Sequence, residues 1–229
     1  RNGSGKSNVV DAFAFLSEAM SLPLQAAFDR RGGIGAVRNR TSGQSNPPNL
    51  GLGVVLGSLN GSVTGGRYAF EVKARPTLGF EVVREQCVVR GAGLPSAWFE
   101  REGESFRSNL DGLHPNIEPS ALALPVVGGD ARFAPVLRVL SGTRVYAIEP
   151  AKLREMQDPD SGTTLKPDGS NAASVLQELL RGEGSTATRA EINRILESIV
   201  PATNAVSPKK HGNKLSMSFS QEWGAKKKL

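Results

Sequence analysis

Cysteine is almost absent from this chain: a single thiol, Cys87, occurs in 229 residues. One cysteine excludes an intrachain disulfide and fits a reducing, cytoplasmic setting. It sits in the apolar stretch Glu85-Gln86-Cys87-Val88-Val89, so a buried structural thiol is expected rather than a nucleophile. Histidine is nearly as scarce. His114 stands beside Pro115 and His211 beside Lys210, too few and too far apart to form a metal cluster with the one cysteine; both read as loop residues. No apolar run approaches the roughly 18 residues of a membrane span, and the N-terminus has no signal-peptide pattern. No repeat is detectable.

What the chain has in quantity is glycine (26 residues) and proline (14), with 38% apolar residues. That mixture predicts a globular, loop-rich and hairpin-rich α/β protein, long enough for one or two domains. Lysine and arginine number 28 against 22 acidic residues, a net charge of +6. The balance modestly favours polyanions.

The most specific signal lies at the start. Asn2-Gly3-Ser4-Gly5-Lys6-Ser7-Asn8 is a P-loop, G-x-x-x-x-G-K-[ST], that lacks only the glycine directly before Arg1. The sequence therefore reads as a segment of a longer ATPase, with the turn and helix of the motif present and the strand before them missing. Gly3 and Gly5 let the backbone approach phosphate oxygens where a side chain would intrude. The backbone N–H groups of the turn encircle those oxygens, and the positive end of the following helix faces them. Lys6 is expected to reach the β and γ phosphates of ATP, and the Ser7 hydroxyl to hold Mg²⁺. From Lys6 onward, Val9, Val10, Phe13, Leu16 and Met20 recur at helical spacing until Pro23, which predicts an amphipathic helix.

The rest of the chain divides into three zones: 1–40, 41–106 and 107–229. After the P-loop helix a short apolar segment, Leu22 to Phe28, ends in Arg30-Arg31-Gly32-Gly33. In the second zone, Leu52 to Leu59, Arg67 to Arg75, Phe80 to Arg90 and Ala97 to Phe106 read as strands, separated by turn signals at Asn60-Gly61 and Pro76 to Gly79. Together they predict an antiparallel meander. An ordinary P-loop fold would instead continue in parallel βαβ units. In the third zone, Ala131 to Leu140 predicts a helix and Arg144 to Ile148 a buried strand ending at Pro150. Gln157 to Gly169 is a polar loop. Asp168 or Ser170 is expected to cap a helix carrying Val175, Leu176, Leu179 and Leu180. Thr188-Arg189-Ala190-Glu191 reads as a capping box, followed by Ile192, Ile195, Leu196, Ile199 and Val200 on one core-facing side. Strands near Thr203 to Ser207 and Lys214 to Phe219 form a predicted hairpin.

With these residues in hand, the chain resembles ABC-type ATPases of the SMC/RecF group, and most of all the RecF-like predicted ATPases of bacteria. The stretch Asn2 to Ala12 is similar to that group's N-G-S-G-K-S-N opening followed by two hydrophobic residues, [DE] and A. The meander lies where ABC heads carry an antiparallel lobe. Val145 to Pro150, and then Leu165 to Leu176 with Asp168-Gly169-Ser170-Asn171, is similar to a strand and D-G-x-N segment of the RecF-like subgroup. The resemblance implies a P-loop NTPase head segment with an antiparallel β lobe and a helical subdomain. The signature motif, the Walker B carboxylates and the switch histidine of such heads do not occur before Leu229. No catalytic residue is therefore assigned, and only half an ATP site is expected.

The resemblance also implies ATP and Mg²⁺ as ligands and hydrolysis by a head-to-head homodimer of the intact protein. A Q-loop linking the nucleotide to the moving lobe is expected at Glu149 or Gln157. Arg30, Arg31, Arg38 and Arg40, clustered after the P-loop helix, are candidate contacts to duplex DNA. Two readings follow: a head that works in DNA repair, DNA surveillance or phage defence, or an ATP-dependent regulatory or scaffolding switch that gates an attached effector such as a nuclease. A P-loop kinase fits less well, because of the antiparallel lobe.

Overall fold

The computed structural model describes residues 5–37, 49–58, 63–75, 79–91 and 95–221. The chain forms two compact units, Arg1–Val145 and Tyr146–Leu229. The boundary thus falls inside the third zone of the sequence, and 107–145 joins the meander.

The first unit opens with helix α1 (Lys6–Ser21), followed by α2 (Leu24–Asp29) and α3 (Ile34–Val37). Pro23 stops α1 as expected and leads into α2. The C-terminal half of α1 is anchored: Phe15, Leu16, Ala19 and Met20 are buried. The other half departs from the amphipathic expectation, since Val9, Val10 and Phe13 are 58%, 47% and 45% exposed. The described core reaches α1 only from Phe15 onward, where α2 and α5 pack on it.

The meander is antiparallel and in the predicted order, but the run Ala97 to Phe106 is two strands and not one. Strands β1 (Asn49–Leu56), β2 (Val63–Arg75), β3 (Gly79–Gly91), β4 (Ala97–Glu102) and β5 (Ser105–Ser108) form one five-stranded sheet in sequence order, and each neighbour pairs antiparallel. The first strand starts earlier than expected, at Asn49, and Leu59 with the Asn60-Gly61 turn lies outside the described residues. Alternation puts Tyr68, Phe70 and Val72 of β2 and Cys87 and Val89 of β3 into the core. A register shift between Glu71 and Val72 gives β3 one extra residue. Without it Arg84 would face inward. With it Arg84 is exposed and Glu85 points into the core, opposite Phe70 on β2 and Arg101 on β4.

Two short helices close the unit, α4 (Ala123–Val127) and α5 (Ala134–Gly142). Aromatic contacts tie the layers together. Phe28 of α2 lies 4.9 Å from Phe15 and 4.8 Å from Phe80, and Phe133 meets Phe99 edge-on at 5.3 Å. Cys87 is fully buried here, and burial pushes its thiol up to about 12, which fits an inert structural thiol.

The second unit contains α6 (Pro150–Arg154), α7 (Ala172–Leu179), α8 (Ser185–Ile199) and the hairpin β6 (Thr203–His211) with β7 (Lys214–Gln221). The hairpin is longer than predicted and takes in His211, whose Nε2 lies 3.0 Å from the Ser216 hydroxyl. Three expectations are corrected. Arg144 to Ile148 is not a buried strand: Tyr146 and Ile148 are exposed, Ala147 donates to the Pro167 carbonyl, and Glu149 just beyond it donates to the Asp168 carbonyl. Pro150 then starts a helix instead of ending a strand, because its fixed φ suits a first helical position.

The capping box is not used. α8 begins a turn earlier, at Gly184 in the left-handed conformation, so the Thr188 N–H already donates to the Gly184 carbonyl and needs no side-chain cap. The apolar stripe of α8 is also largely uncovered among the described residues. Ile195, Ile199 and Val200 are exposed, and only Ile192 and Leu196 are partly buried.

Candidate functional site

Gly5 has φ 79° and ψ 3°, the left-handed conformation that a residue with a Cβ adopts at a cost. It occupies the N-cap of α1, and its carbonyl accepts the first helical hydrogen bond, from the Val9 N–H at 3.1 Å. Lys6, Ser7 and Asn8 make up the exposed first turn. A left-handed glycine followed at once by a helix bearing Lys-Ser is the local geometry by which a P-loop aims backbone N–H groups and the positive helix end at phosphate. The first turn holds no acidic side chain to compete for that field. Asn2, Gly3 and Ser4 lie outside the described residues.

Of the four arginines, Arg38 and Arg40 also lie outside the described residues. Arg30 is exposed and pairs with Glu18 at 3.5 Å. Arg31 is turned inward, its side chain only 13% exposed. Its Nε donates to Asp11 at 3.1 and 3.2 Å, and its Nη1 donates to Glu18 at 2.6 Å and to the Ala27 carbonyl at 3.1 Å. The guanidinium carbon sits 5.2 Å from the centre of the Phe15 ring. Its charge is thereby spent on α1 and α2.

The two candidate Q-loop residues part company in the second unit. Glu149 is exposed at the start of α6. Gln157 is buried, and its carboxamide is occupied: Nε2 donates to the carbonyls of Lys152 and Gly169, and Oε1 accepts from the Ala173 N–H. Its backbone exchanges two hydrogen bonds with Leu215 of β7. Gln157 therefore fastens α6, the polar loop, α7 and the hairpin together. Asn171 does the same within the loop, its Nδ2 donating to Asp160 and the Thr164 carbonyl while its Oδ1 accepts from the Lys166 N–H. It also occupies the N-cap position of α7 expected for Asp168 or Ser170, but caps no N–H of that helix with its side chain. Gln157→Leu is expected to leave the Ala173 N–H and the Lys152 carbonyl without this partner, while the Gly169 carbonyl keeps the Ala172 N–H, and so to cost about 2–4 kcal/mol. Urea unfolding followed by circular dichroism checks this; a loss under about 1 kcal/mol would show that the carboxamide is dispensable.

Sequence reasoning missed one polar cluster, in the core of the first unit. Glu85 accepts hydrogen bonds from the Ala123 N–H at 2.5 Å, the Leu124 N–H at 2.8 Å and the Tyr68 hydroxyl at 2.9 Å. Arg101 beside it donates to the carbonyls of Gly103, Glu118 and Ala121. The acid thus holds the amide end and the base the carbonyl side of the segment entering α4. Burial pushes the Glu85 carboxyl above its usual range, against the opposing pull of its donors and of Arg101; the same burial lowers Arg101. The sequence did not single Glu85 out, because β3 also carries Glu81, Arg84, Gln86 and Arg90.

No cluster of metal-ligating side chains exists among the described residues. Among them, too, no helix is long and apolar enough to cross a membrane. No curated protein and no solved structure matches the chain. Residues 1–110 match the family described as "AAA domain, putative AbiEii toxin, Type IV TA system". Over that stretch, which carries the P-loop helix and all five strands of the meander, the chain is similar to the AAA-type P-loop ATPase domains of that family.

Proposed function

We propose that this chain is the nucleotide-binding part of an ATPase, with ATP held at the N-terminus of α1 and hydrolysed in the intact protein. The observation that carries the reading is the left-handed Gly5 followed directly by a 16-residue helix whose first two residues are Lys6 and Ser7. These residues suit the triphosphate: Lys6 supplies positive charge to the β and γ phosphates, and the turn from Asn2 to Asn8 supplies backbone donors. Ser7 offers the hydroxyl oxygen that would hold Mg²⁺, whose chemistry is to neutralise charge on the phosphates. Head-to-head dimerisation of the intact protein would complete the site.

Among the biological settings, defence is better supported than DNA repair, and it is compatible with either a head that acts itself or a switch that gates an attached effector. The description of the matching family names an AAA domain together with a putative toxin and a Type IV TA system, a setting in defence and not in DNA repair. A role in DNA repair rests on the resemblance alone, and with Arg31 engaged by α1 the described structure adds no support for a DNA path. The test is the Mg²⁺ dependence of nucleotide handling. Ser7→Ala in the intact protein is expected to lower Mg²⁺-dependent turnover at least tenfold while changing ATP affinity far less, as measured by phosphate release beside equilibrium binding. Unchanged turnover would remove Ser7 from the metal site.

A further inference from the structure

We propose that Arg31 is a positioning residue for the nucleotide site, and that its pairing with Asp11 sets the orientation of the P-loop helix. The inference rests on the reading that ATP binds at Lys6 and Ser7, and it adds the element that holds those residues in place.

Among the described residues, α1 is firmly packed only over its second half. Burial begins at Phe15, whereas Val9, Val10 and Phe13 on the half that carries Lys6 and Ser7 are exposed. Asp11 belongs to that exposed half, being itself 59% exposed at the side chain, and Arg31 reaches it from beyond α2. One guanidinium contacts Asp11 through Nε and Nη2 and Glu18 through Nη1, while lying over Phe15. Asp11, Phe15 and Glu18 are four and three residues apart, so they share one face of the helix. The fork therefore grips two turns of α1 at once and resists both rolling and tilting.

Arg31 itself is held by the turn that ends α2. Its N–H donates to the Phe28 carbonyl, as does that of Gly33, and Gly32 and Gly33 both take positive φ. Phe28 in turn packs on Phe15 and on Phe80 of β3. The grip on α1 is thus referred to the meander through a buried aromatic contact. Asp11 stands five residues after Lys6, about 7.5 Å along the axis at 1.5 Å per residue. A small change in helix tilt at Asp11 displaces the Lys6 ammonium from the phosphates, and misplacements near 1 Å cost about 100-fold in rate at well-oriented catalytic sites.

The test uses the intact protein with Mg²⁺·ATP and three variants, Asp11→Asn, Arg31→Lys and their combination. Lysine keeps the charge but cannot contact both carboxylates in a planar fork. Each single variant is expected to weaken ATP binding about tenfold, and the double variant to stay within about twofold of the weaker single one, because both remove one interaction. A purely structural role would lower the melting temperature and leave ATP affinity of the folded protein unchanged. Asp11 is exposed enough for Asp11→Asn to remain folded even where Arg31→Lys does not. ATP affinity of Asp11→Asn equal to that of the parent overturns the inference alone. Absence of ATP binding by the parent overturns the nucleotide reading and this inference with it.

Discussion

Lys6→Ala in the intact protein is expected to lose ATP affinity by at least tenfold to a hundredfold. Lys6 follows the left-handed Gly5 in the first turn of α1, where the motif places its ammonium against the β and γ phosphates. Charge-assisted contacts contribute roughly 1.5–3 kcal/mol each, and 1.4 kcal/mol is a factor of ten in affinity. The side chain is solvent-exposed, and a folding control separates the effect on the ligand from any effect on the fold. Equilibrium binding of a fluorescent ATP analogue, with circular dichroism as the folding control, measures it.

The second large effect concerns stability. Glu85→Ala is expected to destabilise the first unit by about 4 kcal/mol, because it leaves the N–H groups of Ala123 and Leu124 and the Tyr68 hydroxyl without their acceptor. It also leaves Arg101, itself 2% exposed, without its neighbouring negative charge. That loss is a large part of the roughly 5–15 kcal/mol by which a domain is stable. The pH dependence has a defined sign. Burial first of all raises the Glu85 carboxyl above its unfolded value, so the folded state binds this proton more tightly. The resulting stability is present below the unfolded value and is lost as pH rises through the folded one. Urea unfolding against pH reads both effects; a cost under about 1 kcal/mol for Glu85→Ala would show that other groups take over the three donors.

The meander was legible because strands that cover a core on one face alternate with period two. Tyr68, Phe70 and Val72 announce their inward face in the sequence, and the turn glycines bound the runs. The bulge near Val72 was not legible, since a one-residue shift leaves no mark on composition, and with it went the inward turn of Glu85. The second unit was read less well for a related reason. Arg144 to Ile148 has strand-like residues, but strand formation depends on a neighbour to pair with, which the residues of one segment do not reveal. Thr188 to Glu191 matched a capping box, yet a left-handed Gly184 started the helix earlier, and an interior threonine has no free N–H to cap.

At the candidate site the reverse holds. Phosphate binding by backbone requires glycine and lysine at fixed spacing, so the sequence proposes the site by residue, and the part described from Gly5 onward has the left-handed turn and helix start that the spacing predicts. What could not be read was the use of Arg31. As one of a basic cluster it suggested DNA, whereas only the folded chain shows it clasped by Asp11 and Glu18, residues 20 and 13 positions away. Gln157 behaves likewise: its residue type suggested a link to nucleotide, and its contacts with Lys152, Gly169 and Ala173 commit it to holding the second unit together.

The central claim is that the turn and first helix bind a nucleoside triphosphate, and the most direct measurement is a calorimetric titration of Mg²⁺·ATP into the intact protein and its Lys6→Ala variant side by side. Saturable binding by the parent, weakened at least tenfold by the substitution, is the result the account predicts. Equal affinity in the two proteins, or no binding by a folded parent, would contradict it.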